Sequence, residues 1–368
     1  MSLPKRLSVL AVVAALAVAV AACGTGGPAT LTKVKLQLQW VTQAQFAGYY
    51  AALDQNYYKD AGLDVEILIG GPQVNNVQVV ASGGADLGVA WLPNMLRSRE
   101  GDSGTDLVAI SQIFARSGTR MASFKDANIT TAEDMCGKKI GSWLGGNEPE
   151  LFAALTKAGC DPTSENIIQQ NFDMSGLLSG DLDVAQAMIY NEYAQVLEAK
   201  NPDTGELYTA DDLNVIDFND PAVGTAMLQD QVFASAAWLA KSGSTDIATK
   251  FLTATYKGWI YCRDNAQKCV DLVLAKGSQL GPSHQAWQMN EINALIWPST
   301  NGIGQFDQAA YDQTVDIAVT YGVLTADPSA DATRSDLAAA AYAALGSGVD
   351  GKGASYTKGT VELKEGGN

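Results

Sequence analysis

The chain has 368 residues, of which 47% are hydrophobic, and it carries 40 acidic against 24 basic residues for a net charge of −16. This length suits two domains of ordinary size with two filled cores, so a disordered chain is excluded. The acidic balance argues against nucleic-acid binding, because that affinity comes largely from basic residues that neutralise phosphates. The single histidine, His284, excludes a metal site built from several histidines of one chain.

The first 22 residues have the pattern of a secretory signal peptide. Two basic residues precede the apolar stretch 7–22, which is shorter than the roughly 20 residues that span a bilayer. The stretch ends in a Val-Ala-Ala-Cys motif that resembles a bacterial lipobox, so Cys23 is expected to carry a lipid and residues 23–32 to form a tether. An ordinary signal peptide followed by an incidental cysteine is the alternative. The predicted location is extracytoplasmic, with the protein held at a bacterial cell membrane by its lipid alone.

Four further cysteines fit an exported protein, since disulfides persist outside the cytoplasm. Cys262 and Cys269 flank a predicted break between two helices, so a bridge between them would clamp a helical hairpin. Cys136 with Cys160 would form the second bridge. Buried free thiols are the alternative. A zinc site is disfavoured, because no CxxC motif or nearby histidine completes one.

From residue 34 onward, strand and helix patterns alternate. Val34, Leu36, Leu38 and Trp40 alternate with polar residues, which is the period of a half-buried strand. The segments that follow are a helix at 46–57, a strand at 64–69, a helix at 75–82, a strand at 86–91, a helix at 93–99 and a strand at 107–114. This order predicts an α/β unit with a largely parallel sheet and helices on both faces.

A second unit of the same kind follows residue 116. Its predicted strands are 138–143, 167–171 and 184–190, with helices at 148–158 and 192–199. Two strands, 213–218 and 227–234, then run back toward the first unit. The remaining predicted helices are 245–262, 266–274, 284–295, 307–321 and 336–345. Residues 346–368 are rich in Gly, Lys and Ser, and the sequence predicts a flexible tail there with at most one strand, at 360–363.

A chain that leaves one unit, builds another and returns predicts two interleaved lobes. Lobe 1 comprises residues 33–116 plus 225–345, and lobe 2 comprises 117–224. Crossing strands near 116–121 and 218–228 are expected to form a hinge beside a cleft.

Ligands of parallel sheets bind beyond the carboxyl ends of the strands. Three of the seven tryptophans, Trp40, Trp91 and Trp143, lie at predicted strand ends. We therefore expect them to face the cleft.

Several short runs resemble solute-binding proteins of ABC importers, in the branch that resembles thiamine-pyrimidine synthase. They are LQW at 38–40, QAQFAGYY at 43–50, YY at 57–58, AGLDV at 61–65, GG at 70–71, ASG at 81–83, ADLGV at 85–89, GKKIG at 137–141, GGNE at 145–148 and YNEY at 190–193. The resemblance extends over residues 33–320.

This resemblance implies a two-lobe periplasmic-binding-protein fold of type II, with a mostly parallel sheet flanked by helices in each lobe. It also implies a monomer that passes a small ligand to a permease driven by an ATPase, with no cofactor of its own. Relatives bind nitrogen heterocycles such as aminopyrimidine thiamine precursors or riboflavin, and more distant ones bind sulfonates and nitrate.

The residues at the predicted cleft favour a planar nitrogen heterocycle. Aromatic side chains offer flat faces, carboxylates accept hydrogen bonds from N–H groups, and amides offer both donors and acceptors. The candidate ligand-binding residues are Trp40, Gln45, Tyr49, Trp91, Trp143, Asn147, Glu148, Tyr190, Asn191 and Glu192. The structural alternatives are packing at a strand end for the tryptophans, a first-turn acid for Glu148, and helix capping for Asn191 and Glu192. Tyr49 and Tyr50 lie on one helix, so one of them is expected to face the cleft and the other the core.

A sulfonate or nitrate site is one alternative function, and it should present arginines or hydroxyls at the cleft loops. Only Arg116 and Arg120 come close, and both lie on predicted crossing strands. The amides at the helix start after Gly146 can also hold an anion.

A thiamine-pyrimidine synthase is the other alternative. Such enzymes build the pyrimidine from pyridoxal phosphate and their own histidine, with iron, and that histidine lies on the helix after the first strand. Phe46 stands nearest that place here, and the family's adjacent cysteines are also missing. The sequence therefore predicts no enzyme, no catalytic residue and no metal site.

Overall fold

The computed structural model describes residues 30–101, 104–144 and 146–368. The predicted signal peptide and Cys23 lie outside these residues. Within them, no helix combines the length and the apolar character needed to cross a membrane.

The first four strands and the helices between them match the predicted alternation. In chain order the elements are β1 (Thr32–Gln37), α1 (Ala47–Asp54), α2 (Tyr57–Asp60), β2 (Leu63–Leu68), α3 (Asn76–Ala81), β3 (Leu87–Trp91), α4 (Leu92–Arg97) and β4 (Leu107–Gln112). The single helix predicted at 46–57 is divided in the structure. A 3₁₀ turn at Ala44–Phe46 comes first, and Asn56, with a left-handed φ of 60°, separates α1 from α2.

The described part of the second unit contains five strands and three short helices. They are β5 (Thr119–Phe124), β6 (Ile140–Ser142), α5 (Pro149–Lys157), β7 (Ile167–Gln169), α6 (Ser175–Leu178), β8 (Val184–Met188), α7 (Glu192–Leu197) and β9 (Leu213–Asp217). Strand β5 overlaps the crossing strand predicted near 116–121, but it belongs to the second sheet rather than to the hinge. Arg120 and Ser123 interrupt its apolar pattern, although both are buried.

The chain then returns to the first sheet and becomes helical. The elements are β10 (Asp230–Ser235), α8 (Ala236–Leu239), α9 (Ser244–Asp264), α10 (Ala266–Ala275), α11 (Pro282–Ile296), α12 (Gln308–Thr320) and α13 (Ser335–Ala343). Further 3₁₀ turns lie at Lys125–Ala127, Glu133–Met135, Ala210–Asp212, Ala330–Ala332 and Glu365–Gly367.

The two sheets have the same strand order. The first runs β2-β1-β3-β10-β4, and the second runs β7-β6-β8-β5-β9. In each sheet, the strand that the chain forms after it crosses from the other sheet is antiparallel to its neighbours. This strand is β10 in the first sheet and β5 in the second, and it is the one antiparallel strand among the described strands of each sheet. The other four strands of each sheet share one direction, so their carboxyl ends lie on one edge.

Two segments, 113–118 and 218–229, connect the sheets. Gln229 joins them: its Oε1 accepts a hydrogen bond from the Gly118 amide at 2.7 Å, and its Nε2 donates to Thr119 Oγ1 at 2.6 Å. This narrow connection lies where the sequence analysis places the hinge.

Helix α9 packs closely on α1 in the main hydrophobic core. A Cβ added at Gly258 would lie only 2.1 Å from the carbonyl oxygen of Gly48, so glycine is required at this contact. Trp259 is fully buried and packs edge-on against Tyr49, with ring centroids 5.8 Å apart. Because α1 is fixed in this way, the loop that precedes it is held beside the carboxyl end of β1.

Both disulfides have the pairing that the sequence analysis favours. Cys262 at the end of α9 is bonded to Cys269 on α10, with their Cα atoms 5.5 Å apart. Cys136 is bonded to Cys160, with their Cα atoms 6.0 Å apart. The first bridge is fully buried and links two consecutive helices of the core.

The segment 346–368 is packed against the protein, where the sequence predicts a flexible tail. Glu365 forms an ion pair with Lys200 at 2.7 Å, and the Gly366 amide donates to the carbonyl of Glu198 at 3.1 Å. The strand predicted within this segment is absent from these described residues. Its glycines, which suggested flexibility, allow the backbone to approach buried side chains closely.

Candidate functional site

A cavity of about 280 Å³ lies where the carboxyl ends of the parallel strands of both sheets meet. Its lining residues are Gln39, Trp40, Gln43, Gln45, Gly71, Pro72, Val74, Asn76, Trp91, Asn94, Trp143, Asn147, Phe172, Met188, Tyr190, Asn191 and Glu192. The volume is close to the lower end of the range for small-molecule pockets, about 300 to 1,000 Å³. Since both lobes contribute walls, a ligand here would contact both.

Aromatic side chains form much of the wall. Trp40 follows β1 and Phe172 follows β7, and their ring centroids lie 4.8 Å apart across the two lobes. Trp143 follows β6, and its indole nitrogen donates to the carbonyl of Asn171 at 3.1 Å, which fixes the plane of the ring. Trp91 and Tyr190 are buried beside the cavity. These rings present several flat apolar faces to a bound molecule.

Asp230, at the start of β10, orients the amides of the cavity floor. Gln39 Nε2 donates to one carboxylate oxygen at 2.6 Å, and Gln45 Nε2 donates to the other at 3.0 Å. Gln43 Nε2 in turn donates to Gln45 Oε1 at 2.7 Å. Burial raises the pKa of Asp230 to about 7, although the bonds from Gln45 and Gln39 lower it.

Glu192, the first residue of α7, is the carboxylate that lines the cavity. Its side chain is buried, and its oxygens accept bonds from the Met188 amide at 3.0 Å and from Asn191 Nδ2 at 2.6 Å. Burial raises the pKa of Glu192, and these hydrogen bonds with the charge of His284 lower it. Each oxygen keeps a lone pair for a further donor.

No lysine, arginine or histidine lines the cavity among the described residues 30–101, 104–144 and 146–368. Arg120 is paired with Asp217 at 2.9 Å, and Arg116 donates to backbone carbonyls, among them that of Pro298 at 2.9 Å. Both arginines therefore stabilise the region where the two sheets are connected. The cavity combines aromatic faces, amides and one carboxylate without a fixed positive charge.

Two of the ten predicted ligand residues, Tyr49 and Glu148, do not line the cavity. Tyr49 is on the buried face of α1 and packs against Trp259 in the core. Glu148 turns back on its own loop, where its Oε2 accepts a bond from the Gly146 amide at 2.8 Å.

The other eight predicted residues all lie at the cavity: Trp40, Gln45, Trp91, Trp143, Asn147, Tyr190, Asn191 and Glu192. Further residues of the site were not predicted from the sequence: Gln39, Gln43, Asn76, Asn94, Phe172, Met188 and the buried Asp230. Phe172 directly follows a predicted strand, so the same rule that found Trp40 would have found it. Asp230 could have been found by a different sequence signal, since it is an acidic residue inside the strand predicted at 227–234.

Residues 43–269 match the family described as NMT1/THI5 like. The chain belongs to this family. It is 21% identical over 279 residues to a formylaminopyrimidine-binding protein of Halalkalibacterium halodurans, which covers 75% of this chain and 80% of that protein. It is 23% identical over 310 residues to the riboflavin-binding protein RibY of Chloroflexus aurantiacus, which covers 81% of this chain and 83% of that one.

Among solved structures, the fold is similar to that of the periplasmic aliphatic sulphonate binding protein SsuA from Escherichia coli. The TM-score is 0.58 at 15% identity, over 82% of this NMT1/THI5-like chain and 90% of SsuA. The two sheets of five strands, each mostly parallel and flanked by helices, are therefore a periplasmic-binding-protein fold, as the sequence analysis predicted.

Proposed function

We propose that this protein is the extracytoplasmic solute-binding component of an ABC importer and that it captures a small planar nitrogen heterocycle of the aminopyrimidine type. One observation carries the proposal: the cavity between the lobes combines aromatic faces with oriented amides and the buried carboxylate of Glu192. The formylaminopyrimidine-binding relative supports the same ligand class.

The chemistry of an aminopyrimidine matches these groups. Its ring would stack on the faces of Trp40, Trp91 or Trp143. Its exocyclic amino group would donate to Glu192, and its ring nitrogens would accept from amides such as that of Asn147. A single ring suits a cavity of about 280 Å³ better than the three fused rings of a flavin.

The charge of the cavity argues against a sulfonate or nitrate. An anion would favour arginines at the cavity, but Arg116 and Arg120 are engaged elsewhere. The ionised Glu192 carboxylate, which lines the cavity, would also repel it.

The synthase alternative receives no support from the cavity. Such an enzyme needs a reactive histidine at the ligand. The single histidine, His284, is 1% exposed and is bonded to Asn191 and Glu198 outside the lining of the cavity.

Binding would close the two lobes around the ligand. Contacts with both lobes favour the closed arrangement, and the connections 113–118 and 218–229 would act as the hinge. Trp40 and Phe172, which already touch across the mouth, would cover the bound ring. The closed protein, held at the membrane by a lipid on Cys23, would then dock on its permease.

The test is a thermal-unfolding screen of the purified protein against hydroxymethyl- and formyl-aminopyrimidine, thiamine, riboflavin and alkanesulfonates. A ligand at 100 times its Kd stabilises the folded state by about 2.7 kcal/mol. We expect an aminopyrimidine to raise Tm the most. Stabilisation by alkanesulfonates alone would reject the heterocycle.

A further inference from the structure

A chain of four buried polar side chains leads from the back of the protein to the cavity. His284 Nδ1 lies 2.8 Å from Glu198 Oε1, and His284 Nε2 lies 2.9 Å from Asn191 Oδ1. Asn191 Nδ2 then donates to Glu192 Oε1 at 2.6 Å. The last two residues line the cavity, whereas the first two lie behind it. His284 is on α11 and the other three residues are on α7 or at its ends, so this chain joins two elements.

The hydrogen-bond partners set which atom donates between His284 and Asn191. Because Asn191 donates its amino group to Glu192, its carbonyl oxygen faces His284 and needs a donor. Glu198, on the other side of the ring, also offers only acceptor oxygens. In this arrangement His284 Nε2 donates to Asn191 Oδ1, while Nδ1 lies against the Glu198 carboxylate.

The surroundings leave this ring little room to rotate. His284 is 1% exposed, and a Cβ added at Gly367 would lie 2.9 Å from His284 Cβ and 3.2 Å from Glu198 Oε2. On the same helix, Trp287 donates from its indole nitrogen to the carbonyl of Ile189 at 2.9 Å. Helix α11 is thus attached to the second lobe at these two points, and of the two side chains His284 is the one bonded to a cavity residue, Asn191.

We propose that His284 is a positioning residue for ligand recognition: it fixes the Asn191 amide, and through it the Glu192 carboxylate, in the orientation that receives the ligand. The inference rests on the proposed function, since it requires that a ligand bind beside Glu192. Without the donor at Nε2, the Asn191 amide would be free to turn over and place its amino group away from Glu192.

Two substitutions at this one position separate positioning from simple packing. The amide nitrogen of glutamine reaches about as far as Nε2 of histidine, and that of asparagine about as far as Nδ1. His284→Gln therefore keeps the donor to Asn191 and loses the contact with Glu198, whereas His284→Asn does the opposite. We expect His284→Asn to weaken aminopyrimidine binding about tenfold, the effect of one lost hydrogen bond to a buried group, and His284→Gln to stay within about threefold of wild type.

Thermal stability should rank the two variants the other way. His284→Gln should have the lower Tm, because it loses the contact with the buried Glu198 carboxylate. If His284 were only a packing residue, affinity would follow Tm in both variants, and that outcome would overturn the proposal. Trp287→Phe is the matched control on α11: it removes the bond to Ile189 and should leave affinity unchanged.

The single histidine permits a direct check by NMR of protein with ¹⁵N-labelled histidine, since the two ring nitrogens give unique signals. Nε2 should carry a proton in the ligand-free protein, because it donates to Asn191. An unprotonated Nε2 would overturn the positioning role. Absence of heterocycle binding by wild type rejects the proposed function, whereas normal binding by His284→Asn rejects only the positioning role.

Discussion

Two buried carboxylates, Glu192 and Asp230, have different tasks at the cavity. Glu192 lines it and keeps lone pairs for a ligand donor, while Asp230 lies behind Gln39 and Gln45 and holds their amino groups. The first carboxylate is thus placed to bind and the second to orient the residues that bind.

Replacing Glu192 with glutamine tests this division. We expect Glu192→Gln to weaken aminopyrimidine binding by about tenfold to a hundredfold, because a hydrogen bond to a charged group contributes about 1.5 to 3 kcal/mol. Titration calorimetry measures the change.

Glu148→Gln is the matched control. Glu148 is also an acid at a helix start, but it lies outside the cavity lining and bonds Gly146. Equal losses of affinity in the two variants would show that net charge, rather than a direct contact, sets the binding.

At the scale of single residues, the sequence predicts cavity residues that directly follow parallel strands. Trp40 and Trp143 were found by that rule because strand ends are visible as breaks in apolar periodicity. Asp230 was missed because it lies at the amino end of an antiparallel strand, and strand direction is not visible in periodicity. Tyr49 and Glu148 were misplaced because the direction of a side chain near a helix start depends on tertiary packing.

At the scale of elements, the position of α1 depends on its contact with α9. Gly48 and Gly258 bring the two helix backbones together beside Trp259, and the loop with Gln43 and Gln45 leads directly into α1. The geometry of the cavity floor therefore depends on a helix contact in the core.

Substitution of Gly258 by alanine should disturb that contact. The added Cβ would lie 2.1 Å from Gly48 O and 2.8 Å from the Ala52 amide nitrogen, so the helices must separate. We expect Gly258→Ala to lower the free energy of unfolding by about 1 to 3 kcal/mol, the usual cost of overpacking a core. Urea denaturation measures this loss.

Gly348→Ala is the control, because a Cβ at that position meets no atom within 4 Å. It should leave stability nearly unchanged. Equal stability of the two variants would show that the α1–α9 contact tolerates a larger separation.

At the scale of the whole molecule, the sequence predicted two α/β units and a returning chain. The sequence could not show that the strand formed after each crossing between the two sheets is antiparallel, since pairing direction depends on contacts between distant residues. The tail was also misjudged, because glycine composition alone does not distinguish a mobile backbone from one packed closely against side chains.

The pH dependence of stability is a second property of the whole molecule. Burial raises the pKa of both Asp230 and Glu150 to about 7, above their ordinary values near 4. The folded state thus holds these protons more tightly than the unfolded state. Their contribution to stability is complete below about pH 4 and is lost as pH rises through about 7.

The measurement is Tm at pH 5 and pH 8 for wild type, Asp230→Asn and Glu150→Gln. Each variant should lose less stability than wild type between the two pH values, because one of the two titrating groups is gone. The exposed Glu206→Gln should behave like wild type, as it removes a charge without removing a buried acid. If Tm changed between pH 5 and pH 8 by the same amount in both buried variants as in wild type, Asp230 and Glu150 would not be the groups that titrate.

The central claim, that the cavity binds an aminopyrimidine-type heterocycle, is tested most directly by isothermal titration calorimetry of the purified wild-type protein. We predict saturable binding of one formyl- or hydroxymethyl-aminopyrimidine per chain and no heat of binding with an alkanesulfonate at the same concentration. Saturable binding of the alkanesulfonate, with none of either aminopyrimidine, would contradict the claim.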